Sequence, residues 1–242
     1  MDDVLRPHWN IPGVVAFTTL RHAGGSSRAP FDDFNLGARC GDTEVAVAEN
    51  RAQLISKHAL PSPPRWLRQV HGTRAIVDPG FEEPEADAAV TCAAGMTLAI
   101  LTADCMPVVF AAADGSEIAA AHAGWRGMAG GILEATIAAM QTSPDRIIAW
   151  LGPAAGPQAY EVGQEVFDAF LACDVRDGDA FQPTRPGRWN ADLYALARRR
   201  LASVGVTRVD GGGLCAISDP QRFFSHRRDQ PTGRMATIVY RC

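Results

Sequence analysis

The chain has 242 residues, of which 47% are hydrophobic and 21% are charged, a balance typical of a globular protein with a substantial core. Its formal net charge of −4 argues against nucleic acid as a partner, because a nucleic-acid-binding face is usually basic. Polar groups interrupt the apolar stretches well short of the length that spans a bilayer, so we expect no membrane partner.

The N-terminal segment and the cysteines both bear on cellular location. "MDDVLRPHWN" is polar and acidic, and no apolar stretch of the secretory type follows it. The six cysteines form no CxxC pair and no zinc-ribbon spacing. Without a secretory signal, cysteines at this density are typically reduced. We therefore expect a cytoplasmic protein with free thiols.

The apolar pattern predicts strands that alternate with helices along the chain. The strand "VVAFTT" runs into the glycine-rich segment "RHAGGSS", and residues 44–57 have helical spacing with Thr43 as a candidate N-cap. Six short apolar runs between residues 65 and 124 predict one continuous sheet, with a hairpin connection at 113–117. The remaining elements are helices at 128–141, 163–173 and 192–205, a buried strand at 146–152, and a final strand near the C-terminus.

We expect residues 1–242 to form a single domain of the α/β (α+β) class, since strands alternate with helices and no repeat or low-complexity linker divides the chain. "RDGDAFQPTRPGR", residues 176–188, is predicted to be a long loop inside that domain.

Three side chains suited to metal binding or nucleophilic chemistry follow apolar runs: His71 in "RQVHGT", Cys105 in "TADCMP" and His122 in "AHAGWRG". One cysteine and two histidines can bind a catalytic zinc ion and leave a fourth position open for water or substrate. Without metal, the same residues can form a Cys–His nucleophile pair. A cysteine after a buried strand is also a common core residue, and a histidine beside glycine can cap a carbonyl. Spacing alone does not decide between these interpretations.

Asp104, next to Cys105, is a candidate general base or a group that orients a ligand. The alternative is an Asx turn before Pro107.

Two segments are candidates for anion binding. "GWRGMAGGI" places glycines at the start of a predicted helix, and Arg126 lies within it; Arg227 and Arg228 follow in "SHRRD". "RHAGGSS", with Arg21, is a second candidate loop, although it matches neither the P-loop nor the dinucleotide fingerprint. The alternative is ordinary surface arginine, because the chain has only one lysine, Lys57.

In this order, the motifs resemble those of the YfiH-like family across nearly the whole chain. The matching segments are "TTLRHAGGSS", "FNLG", "ENRAQL", "QVHGT", "DAAVT", "TADCMPV", "AAHAGWRG", "LGPAAGPQAYEVGQEV" and "FFSHRRDQPTGRMA". The resemblance implies a layered α/β/β/α sandwich and a zinc ion bound by His71, Cys105 and His122.

It also implies a purine nucleoside phosphorylase with adenosine deaminase activity, whose partners are a small-molecule nucleoside and phosphate. Arg126, Arg227, Arg228 and Arg21 are then candidate phosphate ligands, and Asp104 a candidate proton shuttle. We expect a monomer.

Other functions stay open at this point. The family has also been labelled a multicopper polyphenol oxidase, but the six histidines of this chain are too few for a full multicopper set. Copper can still occupy the three ligands, since the affinity order favours it over zinc. A relationship in fold to a glutamine-deamidating toxin implies a rival, a metal-free Cys105–His122 amidohydrolase. A non-catalytic nucleoside-binding protein is the third possibility.

Overall fold

The computed structural model describes residues 3–242. Its strands are β1 Val4–Leu5, β2 Val14–Thr19, β3 Ala75–Val77, β4 Ala88–Thr91, β5 Thr97–Thr102, β6 Met106–Ala112, β7 Ile118–Ala123, β8 Ile147–Leu151, β9 Glu161–Gly163, β10 Phe181–Arg185, β11 Arg188–Ala191, β12 Arg208–Gly211 and β13 Met235–Arg241. Its α-helices are α1 Glu44–Lys57, α2 Trp125–Gly130, α3 Ile132–Ala139, α4 Gln164–Leu171 and α5 Leu193–Ser203. Short 3₁₀ helices cover Pro144–Arg146 and Val175–Ala180.

The strands form three sheets. A four-stranded antiparallel sheet has the order β1-β2-β13-β5. A six-stranded mixed sheet has the order β12-β8-β6-β7-β4-β3, in which the outer pairs β12–β8 and β3–β4 are parallel and the inner pairs antiparallel. The strands β10, β11 and β9 form a small antiparallel sheet in the order β10-β11-β9. Within residues 3–242, none of these strands pairs with a strand of the two larger sheets.

The two larger sheets pack face to face. Successive side chains of each strand point to opposite faces of its sheet, so each sheet can turn one set of apolar side chains toward the other sheet. Val109 of β6 and Ala120 of β7 share one buried cluster with Ile100 of β5 and Val239 of β13. This cluster fills the space between the four-stranded and six-stranded sheets.

Helices cover the outer faces. On the four-stranded sheet, Phe17 and Ile238 pack against Leu54 of α1. On the six-stranded sheet, Phe110 belongs to a larger cluster with Leu133 of α3. The layers therefore follow the order α/β/β/α, and the α/β fold class is confirmed. None of the helices in residues 3–242 combines the length and apolar composition needed to cross a membrane.

Helix α1 begins and ends where the sequence pattern placed it, and the Thr43 hydroxyl accepts a hydrogen bond from the Ala46 amide at 3.2 Å. The helix expected at residues 128–141 is instead two helices, because Gly131 adopts a left-handed conformation with φ of 98° and ends α2.

Two expectations about strands were wrong. The runs between residues 65 and 124 do not form one sheet, because β5 pairs with β13 in the four-stranded sheet while β6 and β7 lie in the other. Residues 176–188 are not a loop but contain most of a 3₁₀ helix, all of β10 and the start of β11. Pro186 and Gly187 form the turn of that hairpin, with Gly187 at a φ of 70°.

Candidate functional site

The antiparallel pair β6–β7 brings Cys105 and His122 together. Cys105 directly precedes β6 and His122 lies near the end of β7, where Pro107 and His122 face each other in register. His122 lies on the same face of β7 as Ile118 and Ala120, which face the core between the sheets, so its ring lies at the edge of that layer. Two residues 17 apart in sequence therefore meet because one strand starts beside the end of the next.

His71 reaches the same place from a loop that hydrogen bonds attach to both sheets. The Gln69 side chain donates to the Leu101 carbonyl and accepts from the Leu101 amide, each at 2.8 Å, which ties the loop to β5. His71 itself has a φ of 60°, a left-handed conformation that non-glycine residues seldom adopt outside constrained sites.

Asp87, which was not among the predicted site residues, joins this loop to His122. Its buried carboxylate accepts from the amides of Val70, His71 and Gly72 at 3.2, 3.0 and 2.7 Å. It also lies 2.8 Å from Nδ1 of His122, which leaves Nε2 of that ring for the site. An acidic residue immediately before the apolar run "AAVT" was the signal, because a buried carboxylate requires partners.

The three ligand atoms fit a metal ion. They lie within 4.8 Å of one another, and Cys105 Sγ is 3.7 Å from His71 Nε2. In a tetrahedral zinc site a thiolate sulfur and an imidazole nitrogen are about 3.6 Å apart. Hydrogen bonding of His122 to a carboxylate through the other ring nitrogen is the usual arrangement for a metal-binding histidine. The donor set therefore suits zinc or copper and leaves a further coordination position open.

The charges of Cys105 and His122 are coupled. Burial alone would raise the pKa of the Cys105 thiol, but the adjacent His122, followed by His71, lowers it to about 6. Burial would likewise lower the pKa of His122, but the Cys105 thiolate and Asp87 raise it to about 9. In Asp87, burial acts to raise the pKa, and the hydrogen bonds from His122 and Gly72 outweigh it and hold the pKa below its usual value. Cys105 is thus a thiolate near neutral pH, the form that binds metals and acts as a nucleophile.

A cavity of about 460 Å³ opens at these three residues. In the described part of the chain the lining contains no aspartate or glutamate, and it contains four arginines, Arg39, Arg51, Arg126 and Arg234. Two of them, Arg39 and Arg51, pair with Glu83, which lies outside the lining. Thr102, also in the lining, is buried with its hydroxyl unpaired. The volume is typical of small-molecule sites, and the charge suits an anionic ligand.

Two of the arginines named from sequence lie near the three ligands. Arg126 lines the cavity, stacks on Trp125 at 4.3 Å and has no ion-pair partner within residues 3–242. Arg227 donates its backbone amide to Asp104 Oδ2 at 2.6 Å, and its guanidinium donates to the Glu161 carbonyl.

The structure does not bring Arg21, Arg227 or Arg228 to the cavity lining. The Arg228 guanidinium donates to the carbonyls of Ala216, Ile217 and Phe223, so backbone groups occupy it. Arg21 pairs with acidic side chains and bonds a carbonyl near the glycine-rich loop.

The backbone amides of the glycine-rich loop already bind a carboxylate of the protein itself. The Asp33 carboxylate accepts from the successive amides of Ala23, Gly24 and Gly25. These amides are therefore engaged, and this loop offers no free anion site.

Asp104 is buried beside Cys105, with a φ of 86°. Its Oδ2 accepts from Arg227, far away in sequence, so the Asx turn toward Pro107 does not form. Its Oδ1 is buried without a partner in residues 3–242. A role in proton transfer stays a prediction.

A family model described as multi-copper polyphenol oxidoreductase laccase matches residues 15–242. The chain is 57% identical over 241 residues to a protein of Xylella fastidiosa named purine nucleoside phosphorylase, covering 95% of this chain and 93% of the relative. It is 45% identical over 242 residues to a protein of Escherichia coli named purine nucleoside phosphorylase YfiH, covering 99% of each.

Solved structures share this fold. Neisseria meningitidis protein NMB0706 superposes with a TM-score of 0.95 at 42% identity over 99% of each chain. YlmD from Geobacillus stearothermophilus superposes with a TM-score of 0.93 at 33% identity, over 99% of this chain and 96% of that one.

Proposed function

The chain belongs to the YfiH-like family, the family of the laccase-labelled model, and from this membership we propose that it is a zinc-dependent purine nucleoside phosphorylase. Relatives that bear this enzyme name support an enzymatic function. The single observation that carries the proposal is the cationic cavity that opens directly onto His71, Cys105 and His122.

Phosphorolysis needs a nucleoside and inorganic phosphate to be held together. The bond from the ribose C1′ to the purine breaks, and a bond from C1′ to a phosphate oxygen forms, through a transition state with oxocarbenium character. Arg126 and Arg234 of the cavity, neither of which has an ion-pair partner within residues 3–242, supply charge that binds phosphate, and Arg126 is the one nearest in sequence to the proposed metal-binding residues. Inosine, adenosine, guanosine and methylthioadenosine are the proposed substrates.

His71, Cys105 and His122 would hold the zinc ion, with His122 oriented by Asp87. A zinc ion supplies Lewis-acid catalysis when it is bound. Copper can bind the same donor atoms. An adenosine deaminase activity completes the proposal, with Asp104 as the carboxylate that shuttles a proton, because its buried Oδ1 is unpaired beside Cys105.

One observation favours a second candidate, a metal-free amidohydrolase with Cys105 as nucleophile and His122 as its partner. The lowered pKa of Cys105 gives a thiolate near neutral pH, which is what such a reaction requires.

The test is turnover of the four nucleosides with phosphate by wild-type protein and by Cys105→Ala, with products resolved by chromatography. Free base and ribose 1-phosphate from wild type alone, lost on chelation and restored by zinc, support the zinc phosphorylase. Ammonia release that survives chelation but is abolished by thiol alkylation, without formation of ribose 1-phosphate, supports the amidohydrolase chemistry instead. A wild-type protein that binds zinc and converts no nucleoside overturns the proposal.

A further inference from the structure

The two buried tyrosines Tyr160 and Tyr194 differ in how their hydroxyl groups are bonded. The Tyr194 hydroxyl accepts from the Ala154 amide and lies within hydrogen-bond distance of the Gly152 and Leu214 carbonyls. Tyr160 is only 9% exposed, yet its hydroxyl has no hydrogen-bond partner within residues 3–242. The buried side-chain polar atoms that lack a hydrogen-bond partner do not include this oxygen. Because it has no partner, it must therefore be exposed to solvent. Buried tyrosines usually bond their hydroxyl, and this one is free to bond a ligand.

Hydrogen bonds place the Tyr160 segment next to the metal-binding residues. The Ala155 amide donates to the Asp104 carbonyl at 2.8 Å, one residue before Cys105. The Asp104 carboxylate accepts from the Arg227 amide at 2.6 Å, and the Arg227 guanidinium lies over the Tyr160 ring, 5.0 Å from its centroid. The ring is therefore held between the protein core and a cation, on the side of the site where Asp104 lies.

The phenol keeps its proton at every pH at which the protein would work. Burial, followed by the negative charge of Cys105, raises the pKa of Tyr160, and the nearby Arg227 only partly opposes this. Its hydroxyl is thus a permanent hydrogen-bond donor, near enough to Cys105 for the charge of that thiolate to raise its pKa.

A donor at this position matches a need of the proposed reaction. When phosphate attacks C1′, the electrons of the C1′–N9 bond pass to the purine, which leaves carrying negative charge. A hydrogen bond to the purine stabilises that charge as it develops, and the base later takes its proton from solvent. We propose that the Tyr160 hydroxyl donates this hydrogen bond to the purine leaving group, an inference that rests on the proposed phosphorylase function.

The test compares two substrates in one variant. Tyr160→Phe removes only the hydroxyl, and zinc content and melting temperature report on its folding. The departing base of inosine needs stabilisation. The purine of 7-methylinosine already carries a positive charge, so this base can leave without the hydrogen bond from Tyr160. We expect Tyr160→Phe to lower kcat/KM for inosine roughly 10- to 100-fold and to leave 7-methylinosine within about 3-fold. The ratio of the two values is independent of the fraction of protein that is folded.

Tyr194→Phe is the matched control, because its hydroxyl bonds only backbone groups. It should lower stability and change both substrates equally. If Tyr160→Phe affects the two nucleosides by the same factor, or neither, the hydroxyl does not assist the leaving group and the inference is wrong. If wild type cleaves neither nucleoside in phosphate, the phosphorylase function fails and the inference fails with it.

Discussion

Gly124 provides the space in which the three ligands meet. A Cβ atom at this position would lie 2.8 Å from Cys105 Sγ and 2.9 Å from His71 Cδ2, closer than real Cβ contacts. The backbone here has a φ of −68°, which any residue can adopt, so the requirement for glycine is one of volume rather than conformation.

If His71, Cys105 and His122 bind zinc as proposed, Gly124→Ala should fold but bind little zinc, because the methyl group would displace both Cys105 and His71. Metal content by mass spectrometry and thermal melting measure the two effects. Gly178→Ala is the control, since its Cβ would make an ordinary 3.7 Å contact with Leu171. Full zinc occupancy in Gly124→Ala would show that the ligands adopt a different arrangement.

Cys105 and Cys92 have pKa values that are shifted in opposite directions. Burial acts to raise the pKa of both thiols, but in Cys105 the positive charge of His122 reverses the shift, whereas in Cys92 the charge of Glu117 adds to it.

In metal-stripped protein, the rate of Cys105 alkylation should therefore rise as pH increases through about 6, while that of Cys92 rises only above the ordinary thiol range. Iodoacetamide labelling followed by peptide mass spectrometry measures both in one sample. His122→Ala should move the Cys105 midpoint upward. Equal midpoints at the two cysteines would contradict the proposed ion pair.

Asp87 connects two structural elements, because its single carboxylate bonds both a loop and a strand. It stands immediately before β4, accepts three amides of the loop at 70–72, and orients His122 on β7. Its backbone carbonyl also accepts from the His122 amide at 2.7 Å. The position of two ligands relative to each other thus depends on one buried acid.

Replacing Asp87 by Asn should lower both stability and zinc affinity. The amide group presents donors toward groups that are themselves donors, which should lower the free energy of unfolding by about 1–3 kcal/mol. Loss of the carboxylate partner of His122 should weaken zinc binding roughly 10- to 100-fold. Urea unfolding and chelator competition measure these effects. Asp114→Asn, whose acid is half exposed on the surface, should change neither. Wild-type zinc affinity in Asp87→Asn would disprove the orienting role.

At the scale of the whole molecule, a bound metal would connect the two sheets. The loop that carries His71 is bonded to Leu101 of β5 in the four-stranded sheet, and Cys105 and His122 belong to the β6–β7 pair of the six-stranded sheet. Because the unfolded chain does not preform this arrangement, zinc should stabilise the native state.

Zinc at about 100 times its dissociation constant should add about 2.7 kcal/mol, which corresponds to roughly 5–10 °C in melting temperature for a chain of this size. Chelator should remove that increment from wild type, and Cys105→Ala should melt at the same temperature with or without zinc. Cys242→Ala, which alters an exposed thiol outside the cavity lining, should keep the wild-type response. A melting temperature of wild type that does not respond to zinc would argue against a structural link through the metal.

Local chemistry determined much of this protein. Thr43 and the apolar spacing after it were sufficient to define α1, because a helix and its cap depend on residues within four positions of each other. The Pro186–Gly187 turn carried the same kind of local signal, although we interpreted it as part of a loop. Residue type and family resemblance are sufficient to predict that His71, Cys105 and His122 share a site, and in the structure their ligand atoms lie within 4.8 Å of one another.

Only the tertiary structure decided which elements meet. The pairing of β5 with β13 joins residues more than 130 positions apart, and no periodicity in either strand encodes its partner. The same holds for Asp87 and for the cavity arginines Arg39, Arg51 and Arg234, whose roles depend on groups brought near them by folding. Arg39 and Arg51 line the cavity, but both pair with Glu83. Arg21 and Arg228 also carry the right charge, but in the folded chain their guanidinium groups are bonded elsewhere. Residue type follows from sequence, but whether a side chain is free to act depends on its neighbours in space.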